Sequence, residues 1–249
     1  MAIAQKIVSW LKDYSESAIK DGFVVGVSGG IDSAVTSTLC ALTEKEVLVV
    51  RMPIHQIKSQ NNLSKKHTDW LIENFSNVSV VEVDLSDIFD RFIKLFDNKD
   101  KSSLSLANTR SRLRMITLYQ FSSNRNSLVA GTGNKVEDFG VGFFTKYGDG
   151  GVDLSPIADL YKSEVRELAS SLGIIQDIID SPPTDGLWED GRTDEDQLGA
   201  TYEELEWAMK YADEKFLTPR QKEVLEIYDR HHSLNLHKMV DIPVCKLIK

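Results

Sequence analysis

The chain has 249 residues, of which 41% are hydrophobic, and its formal net charge is −9. This length is at the upper edge of what one hydrophobic core fills, so we predict a single domain over residues 1–249. The negative charge argues against general affinity for nucleic acid or for an anionic membrane. An anionic ligand must therefore be held in a focused pocket, by backbone N–H groups, a few local cations and metal ions.

Two further features bear on the location of the chain. Cys40 and Cys245 are far apart and show no metal-ligand spacing, which is typical of reduced thiols in the cytoplasm. No apolar run approaches the roughly 20 residues that are needed to span a bilayer. We therefore expect a cytoplasmic protein.

Short β-rich runs alternate with helical periodicity along the first 130 residues. The chain begins with an amphipathic helical pattern formed by Ile3, Ile7, Trp10, Leu11 and Tyr14. The predicted strands are 23–27, 47–51, 78–83 and 127–130. Helical patterns lie at 33–42, 63–75, 85–96, 104–121, 162–172, 202–211 and 220–230. The alternation predicts an α/β fold, a doubly wound parallel sheet flanked by helices, with ligands at the carboxyl ends of the strands.

A glycine-rich turn follows the first predicted strand and precedes a helix. Glycine lets the backbone approach a ligand and adopt positive φ without a Cβ clash, and N–H groups at a helix N-terminus bind anions. Ser28 and Ser33 add hydroxyl groups, and Asp32 can hold a magnesium ion against phosphates. The pattern predicts a phosphate site formed by Gly26, Val27, Ser28, Gly29, Gly30, Ile31, Asp32 and Ser33.

Two common phosphate motifs do not fit this turn. A Walker A loop requires a lysine after its glycines, and the dinucleotide fingerprint GxGxxG requires a different spacing. Residues 26–33 instead resemble the SGGxDS loop of the ATP-pyrophosphatase family, which holds the pyrophosphate of ATP. The resemblance implies an adenine nucleotide alpha hydrolase-like fold and the products AMP and pyrophosphate. By itself it leaves the second substrate open.

Residues 142–153 narrow the choice of substrate. They read GFFTKYGDGGVD and offer one cation, Lys146, and two carboxylates, Asp149 and Asp153. Lys146 suits a phosphate or ribose oxygen of a dinucleotide, and Asp153 suits a hydroxyl or amide donor. The segment resembles the GYFTKYGDGGxD signature of NAD synthetases.

Shorter segments match the same family in the same order, although residues 53–62 diverge from it. By this resemblance, Thr132, Lys162 and Thr184 are expected to bind ATP, and Glu137 to join Asp32 as a magnesium ligand. This pairing requires the sheet to bring two loops together. The residues expected to hold deamido-NAD are Arg112, Lys146, Asp153, His237 and Lys238.

Two residues are expected to have catalytic roles. Lys162 is placed at the start of a helix, and Asp149 is a candidate to bind ammonium or to take its proton.

On the helix that contains Arg112, the i,i+4 pair Arg110 and Arg114 shares one face, whereas Arg112 points elsewhere.

The chain thus resembles an ammonia-dependent NAD synthetase over roughly residues 20–240. The resemblance implies that the nicotinate carboxylate attacks ATP, giving an acyl-adenylate and pyrophosphate, and that ammonia then displaces AMP to form NAD. It also implies Mg²⁺ and a homodimer. The negative charge and the lack of a spanning apolar run predict neither nucleic acid nor membrane as a partner. Two alternatives stay open: another ATP-pyrophosphatase ligase, such as a GMP synthetase-like enzyme, and a catalytically silent nucleotide-binding protein.

Overall fold

The computed structural model describes residues 2–56, 58–184, 186–188, 192–212 and 216–247, with the backbone alone for 58–60. All four predicted strands form, and they make one parallel sheet in the order β3-β2-β1-β4. The strands are β1 (Gly22–Gly26), β2 (Glu46–Arg51), β3 (Val78–Glu82) and β4 (Ser127–Ala130).

Helices cover both faces of the sheet. Alternate strand residues point to opposite faces: Phe23 and Val25 join a core cluster under the N-terminal helix, whereas Val24 belongs to a second cluster with Leu48 and Phe89. A strand that is buried on both faces reads as a continuous apolar run. These contacts confirm the predicted doubly wound α/β class.

The long helices follow the predicted periodicity, with changed ends. They are α1 (Ala2–Ser17), α2 (Ile31–Ala41), α3 (Lys58–Asn74), α4 (Ser86–Ile93), α5 (Ser103–Asn124), α6 (Lys162–Ser171), α9 (Tyr202–Lys210) and α10 (Pro219–Met239). Two short helices, α7 (Gln176–Ile179) and α8 (Asp194–Leu198), lie between α6 and α9. A π-helical turn spans Val136–Val141.

The prediction that the last helix ends at residue 230 is wrong, because α10 continues to Met239. The start of α10 has a local cause: Thr218 and Gln221 form a capping box, and proline follows at position 219. The extension has a tertiary cause. Asn235 Nδ2 donates a hydrogen bond of 2.8 Å to the Val141 carbonyl, and Lys238 Nζ donates to the carbonyls of Gly142 and Phe144.

The strand order places two loops side by side. From β1 the chain moves outward to β2 and β3 and then returns to the opposite side of β1 as β4. The carboxyl ends of β1 and β4 are therefore adjacent, at the point where an open α/β sheet binds ligands. Within the described part of the chain, no helix has the length and apolarity to cross a bilayer.

Candidate active site

The phosphate loop, residues 26–33, turns sharply between β1 and α2. Gly29 has φ 96°, in the region that glycine tolerates best. Gly30 precedes α2 with extended backbone and no side-chain cap. The Ser33 hydroxyl donates to the Gly30 carbonyl at 2.9 Å, and the Gly30 N–H donates to Ser28 Oγ at 3.2 Å. The loop is thus held by its own hydroxyl groups, beside a helix N-terminus that suits an anion.

One cavity collects the residues predicted to bind ATP. It is lined by Gly26, Val27, Ser28, Gly30, Ile31, Asp32, Ser33, Thr132, Lys162 and Thr184. Of the predicted set, Gly29 alone is absent from this lining and serves the turn. Glu137 and Asp149 also line the cavity. The sheet topology therefore brings together residues that are up to 158 positions apart in the sequence.

A buried cation lies at the base of this cavity. The Lys162 ammonium is 2.5 Å from Asp32 Oδ2 and 3.2 Å from Glu137 Oε1, and the lysine side chain is only 2% exposed. Burial raises the pKa of Asp32, which Lys162 opposes. Burial alone would lower the pKa of Lys162, but the two carboxylates raise it above its ordinary value. Lys162 therefore carries a full positive charge.

The two carboxylates fit a magnesium ion. Asp32 and Glu137 are hard oxygen donors on separate loops, both face the cavity, and a cation already lies between them. Mg²⁺ is typically held by one or two carboxylates together with substrate phosphates and water. Asn134 Nδ2 donates to Asp32 Oδ1 at 3.3 Å and restrains the orientation of that carboxylate.

Asp149 is open to the cavity but surrounded by protein atoms. Its Oδ1 accepts hydrogen bonds from the Ser111 hydroxyl at 2.5 Å and from the Thr145 N–H at 3.0 Å. Burial raises the pKa of Asp149, and these hydrogen bonds partly offset the effect. Since no hydrogen bond to its Oδ2 is found within the described ranges, this oxygen can meet a small donor in the cavity.

The residues predicted to hold the dinucleotide lie outside the lining of this cavity. Arg112 Nη2 and Nε donate to the Lys146 carbonyl at 3.3 and 3.4 Å, and Lys146 Nζ donates to the His237 carbonyl at 2.7 Å. Lys238 binds the same loop, as described above. The structure thus gathers four of the five residues around the segment 142–147.

Asp153 lies apart from that group. Its Oδ1 accepts from the Tyr119 hydroxyl at 3.0 Å, and its Oδ2 accepts from the Val129 N–H at 2.8 Å. Both carboxylate oxygens are therefore already engaged at the edge of β4. The predicted contact of Asp153 with a substrate stays a prediction.

The arginine helix agrees with its predicted orientation. Arg110 is buried with its guanidinium 4.4 Å from the centre of the Phe89 ring, and Arg114 Nε donates to the Met52 carbonyl at 3.1 Å. Arg112 is exposed on another face of α5. Arg110 and Arg114 contact the protein scaffold, Arg114 also lines the cavity, and Arg112 faces outward.

Sequence reasoning missed several residues of the site, among them three with polar side chains close to the carboxylate pair. Asp138 and Asp194 line the cavity, and the Tyr202 hydroxyl donates to Glu137 Oε1 at 2.5 Å. Burial and neighbouring carboxylates raise the pKa of Asp138 to about 8. Asp138 fits because position 133 is glycine: a Cβ on Gly133 would lie 2.1 Å from its Oδ1. Asp138 could have been found from the sequence, because it is adjacent to Glu137. Tyr202 could not, because an aromatic residue in an amphipathic helix is typical of the hydrophobic core.

Comparison with known proteins decides the family. The family model described as NAD synthase matches residues 3–246. The chain belongs to the NAD synthase family. It is 39% identical over 249 residues to the NH(3)-dependent NAD(+) synthetase of Alkaliphilus metalliredigens, covering 96% of both chains. It is 41% identical over 207 residues to the protein of the same name from Carboxydothermus hydrogenoformans, covering 81% of this chain and 82% of that one.

Solved structures of the family share the whole fold. The NMN synthetase of Francisella tularensis superposes with a TM-score of 0.89 at 30% identity, over 99% of this chain and 98% of that one. The NH3-dependent NAD synthetase of Campylobacter jejuni superposes with a TM-score of 0.80 at 30% identity, over 98% of both chains. The sheet and its helices are therefore those of the NAD synthase family.

Proposed function

We propose that this chain catalyses the ATP-dependent amidation of deamido-NAD with ammonia, giving NAD, AMP and pyrophosphate. The observation that carries the proposal is the single cavity in which the phosphate loop, the Asp32–Lys162–Glu137 cluster and Asp149 meet. The choice of deamido-NAD as the acceptor of ammonia is supported by membership of the NAD synthase family and by the names of the relatives.

Activation is the first half of the proposed reaction. An oxygen of the nicotinate carboxylate bonds to the α-phosphorus of ATP while the bond to the β-phosphate oxygen breaks, releasing pyrophosphate. The uncapped N-terminus of α2 and the Lys162 ammonium bind the phosphates and stabilise the charge that develops on the leaving group. Asp32 and Glu137 would hold a magnesium ion, which neutralises phosphate charge when it is bound.

Amide formation is the second half. Ammonia bonds to the carbonyl carbon of the acyl-adenylate, AMP leaves, and one proton is released. Asp149 lines the cavity and accepts two hydrogen bonds on Oδ1, which leaves Oδ2 to bind ammonium or to receive that proton. Because the reaction requires no covalent enzyme nucleophile, the chief contribution of the chain is to position the substrates.

The acceptor is held by residues around the segment 142–147. Arg112, Lys146, His237 and Lys238 supply positive charge or hydrogen-bond donors next to the cavity. A guanidinium suits a phosphate of the acceptor. Because Lys146 and Lys238 now donate to backbone carbonyls, binding of the acceptor exchanges those contacts for phosphate or ribose oxygens.

A second candidate acceptor is the mononucleotide, nicotinate mononucleotide, with NMN as the product. The TM-score of 0.89 with the NMN synthetase of Francisella tularensis, against 0.80 with the NAD synthetase of Campylobacter jejuni at equal identity, favours this candidate. Both acceptors carry the same carboxylate, so the chemistry at Asp149 and Lys162 is shared. They differ in the adenylyl half, which the mononucleotide lacks.

A homodimer is part of the proposal. Large apolar side chains are exposed on α4, on α5 and between them: Ile88, Phe92, Leu95, Phe96, Leu104 and Ile116. Exposed apolar surface of this kind is typical of protein interfaces. Light scattering should give twice the 28.0 kDa mass of the chain, and Leu104→Lys should reduce it to the mass of one chain.

The activity is tested by supplying purified protein with ATP, Mg²⁺, an ammonium salt and one acceptor at a time. We expect AMP, pyrophosphate and NAD in equal amounts with deamido-NAD, and Asp32→Asn should abolish them while Asp13→Asn, an exposed change on α1, should not. A higher kcat/KM with nicotinate mononucleotide would establish the second candidate. Amination of xanthosine monophosphate would reassign the enzyme to a GMP synthetase-like ligase, and failure to release AMP with any acceptor would sink the proposal.

A further inference from the structure

Tyr202 lies directly behind the carboxylate pair of the cavity. It is the first residue of α9, and no part of it is exposed. Its hydroxyl donates to Glu137 Oε1 at 2.5 Å and lies 3.3 Å from Asp194 Oδ2. Its ring centre is 4.6 Å from the Lys162 ammonium. One side chain therefore touches both the predicted magnesium ligand and the predicted phosphate-binding cation.

The contacts of Glu137 are asymmetric. Both of its donors, the Tyr202 hydroxyl and the Lys162 ammonium, bind Oε1. Across the described segments, Oε2 accepts no hydrogen bond, and Glu137 lines the cavity. A carboxylate anchored through one oxygen presents the other in a defined direction, and such outer partners orient metal ligands and tune their affinity.

The two donors differ in their freedom to move. Lys162 carries a charge that bound phosphates attract, so its contact with Glu137 competes with ATP. Tyr202 is a phenol without a positive charge, so phosphates do not attract it away from Glu137. Its backbone is fixed as well: the Tyr202 N–H donates to Glu195 Oε1 at 3.0 Å, and Thr201 caps α9. Tyr202 is thus the donor that stays when Lys162 turns toward phosphate.

We propose that Tyr202 is a positioning residue: its hydroxyl anchors Oε1 of Glu137 so that Oε2 faces the metal and phosphates of bound ATP. The proposal rests on the proposed ATP-dependent function. Tyr202 does not line the cavity, so it acts through Glu137.

Tyr202→Phe tests this role, because it keeps the buried ring and its contact with Lys162 and removes only the hydroxyl. We expect the Mg²⁺ concentration for half-maximal rate at saturating ATP to rise by about 10- to 100-fold, as for other outer partners of metal ligands. The KM for ammonium should not change. Tyr228→Phe is the matched control, since Tyr228 packs against the same apolar cluster as Tyr202 and, within the described residues, its hydroxyl has no hydrogen bond to Asp32, Glu137 or Asp194.

A second readout does not depend on turnover. The melting temperature with ATP and no acceptor is recorded against Mg²⁺ concentration, and the curve for Tyr202→Phe should be displaced to higher Mg²⁺ by the same factor. On a Glu137→Gln background the Tyr202→Phe change should produce little further displacement, because the hydroxyl has lost the carboxylate through which it acts.

The outcomes separate the two proposals. If the wild-type protein releases no AMP with any acceptor, the proposed function fails. The positioning role fails as well if the melting curves of the wild-type protein and Tyr202→Phe then coincide at all Mg²⁺ concentrations. If the wild-type protein is active and Tyr202→Phe shows an unchanged Mg²⁺ dependence in both readouts, the positioning role alone is overturned. Equal displacement on the Glu137→Gln background would likewise overturn it, since Tyr202 would then act without Glu137.

Discussion

Replacing Lys162 with methionine removes the ammonium group that lies between Asp32 and Glu137. The methionine fills a similar volume, so the main loss is electrostatic: the two carboxylates keep their burial and lose their shared partner. Removing one partner of a buried ion pair costs roughly 3–5 kcal/mol. In a chain of this size each kcal/mol lowers the melting temperature by about 2 °C. We therefore expect Lys162→Met to melt roughly 6–10 °C below the wild-type protein at pH 8, without nucleotide and with a chelator.

The difference in melting temperature between the wild-type protein and Lys162→Met should shrink as the pH falls to 5. Burial already raises the pKa of Asp32 with Lys162 beside it, and removal of the cation raises it further. A carboxylate whose folded-state pKa exceeds its unfolded value binds its proton preferentially in the folded state, so lowering the pH stabilises the variant. Protonated Asp32 no longer requires a cation.

The control for this variant is an ion pair of the same length on the surface. Lys66 Nζ lies 2.5 Å from Asp177 Oδ2, with both side chains 59% exposed. Surface pairs contribute about 0–1 kcal/mol, so Lys66→Met should lower the melting temperature by no more than about 2 °C. Differential scanning calorimetry from pH 5 to pH 8 measures both variants. A Lys162→Met deficit as small as that of Lys66→Met, or one that does not change with pH, would refute the reasoning.

Three further predictions concern single side chains. His67 is fully buried, and burial lowers its pKa from 6.5 to about 4. The unfolded chain therefore binds the proton first, so the free energy of unfolding should fall by about 3 kcal/mol as the pH drops from 6.5 to 4. Chemical denaturation should measure this loss in the wild-type protein and not in His67→Gln. In Gly148→Ala the new Cβ would lie 2.3 Å from Ser111 Oγ, so the hydrogen bond to Asp149 should break and amide formation should fall at least about 10-fold in a steady-state assay. Asp149→Asn should raise the KM for ammonium while the KM for ATP stays constant, and unchanged turnover and KM at all ammonium concentrations would remove Asp149 from the mechanism.

Local chemistry explains why the phosphate loop could be located from the sequence. A Gly-rich turn between a buried strand and a helix requires only neighbouring residues, and the structure has Gly29 at positive φ and an open helix end at Gly30. The start of α8 is local in the same sense, because Thr193 and Asp196 form a capping box within one turn. In both segments the residues that decide the conformation are no more than a few positions apart.

The end of α10 could not be predicted from its own residues. The polar stretch after residue 230 carries no strong helical pattern, and three of its side chains, His232, Asn235 and Lys238, bond to carbonyls of the segment 140–144, more than 90 positions earlier. Those contacts place His237 and Lys238 beside Lys146. A pattern read within one segment contains no information on such partners, because the donors and acceptors meet only after both segments have folded.

The sequence by itself determined the class of the fold, the place of the phosphate loop and the residue types of the site, since strand and helix periods, glycine turns and caps depend on near neighbours. Only the tertiary structure decided which side chains share a charge. Lys162 lies 130 positions from Asp32, and Tyr202 lies 65 positions from Glu137. Their contacts arise because the sheet reverses its order between β1 and β4 and the C-terminal helices close against that edge. A buried charge requires a partner that is close in space. The number of residues between two positions does not show whether the fold brings them together.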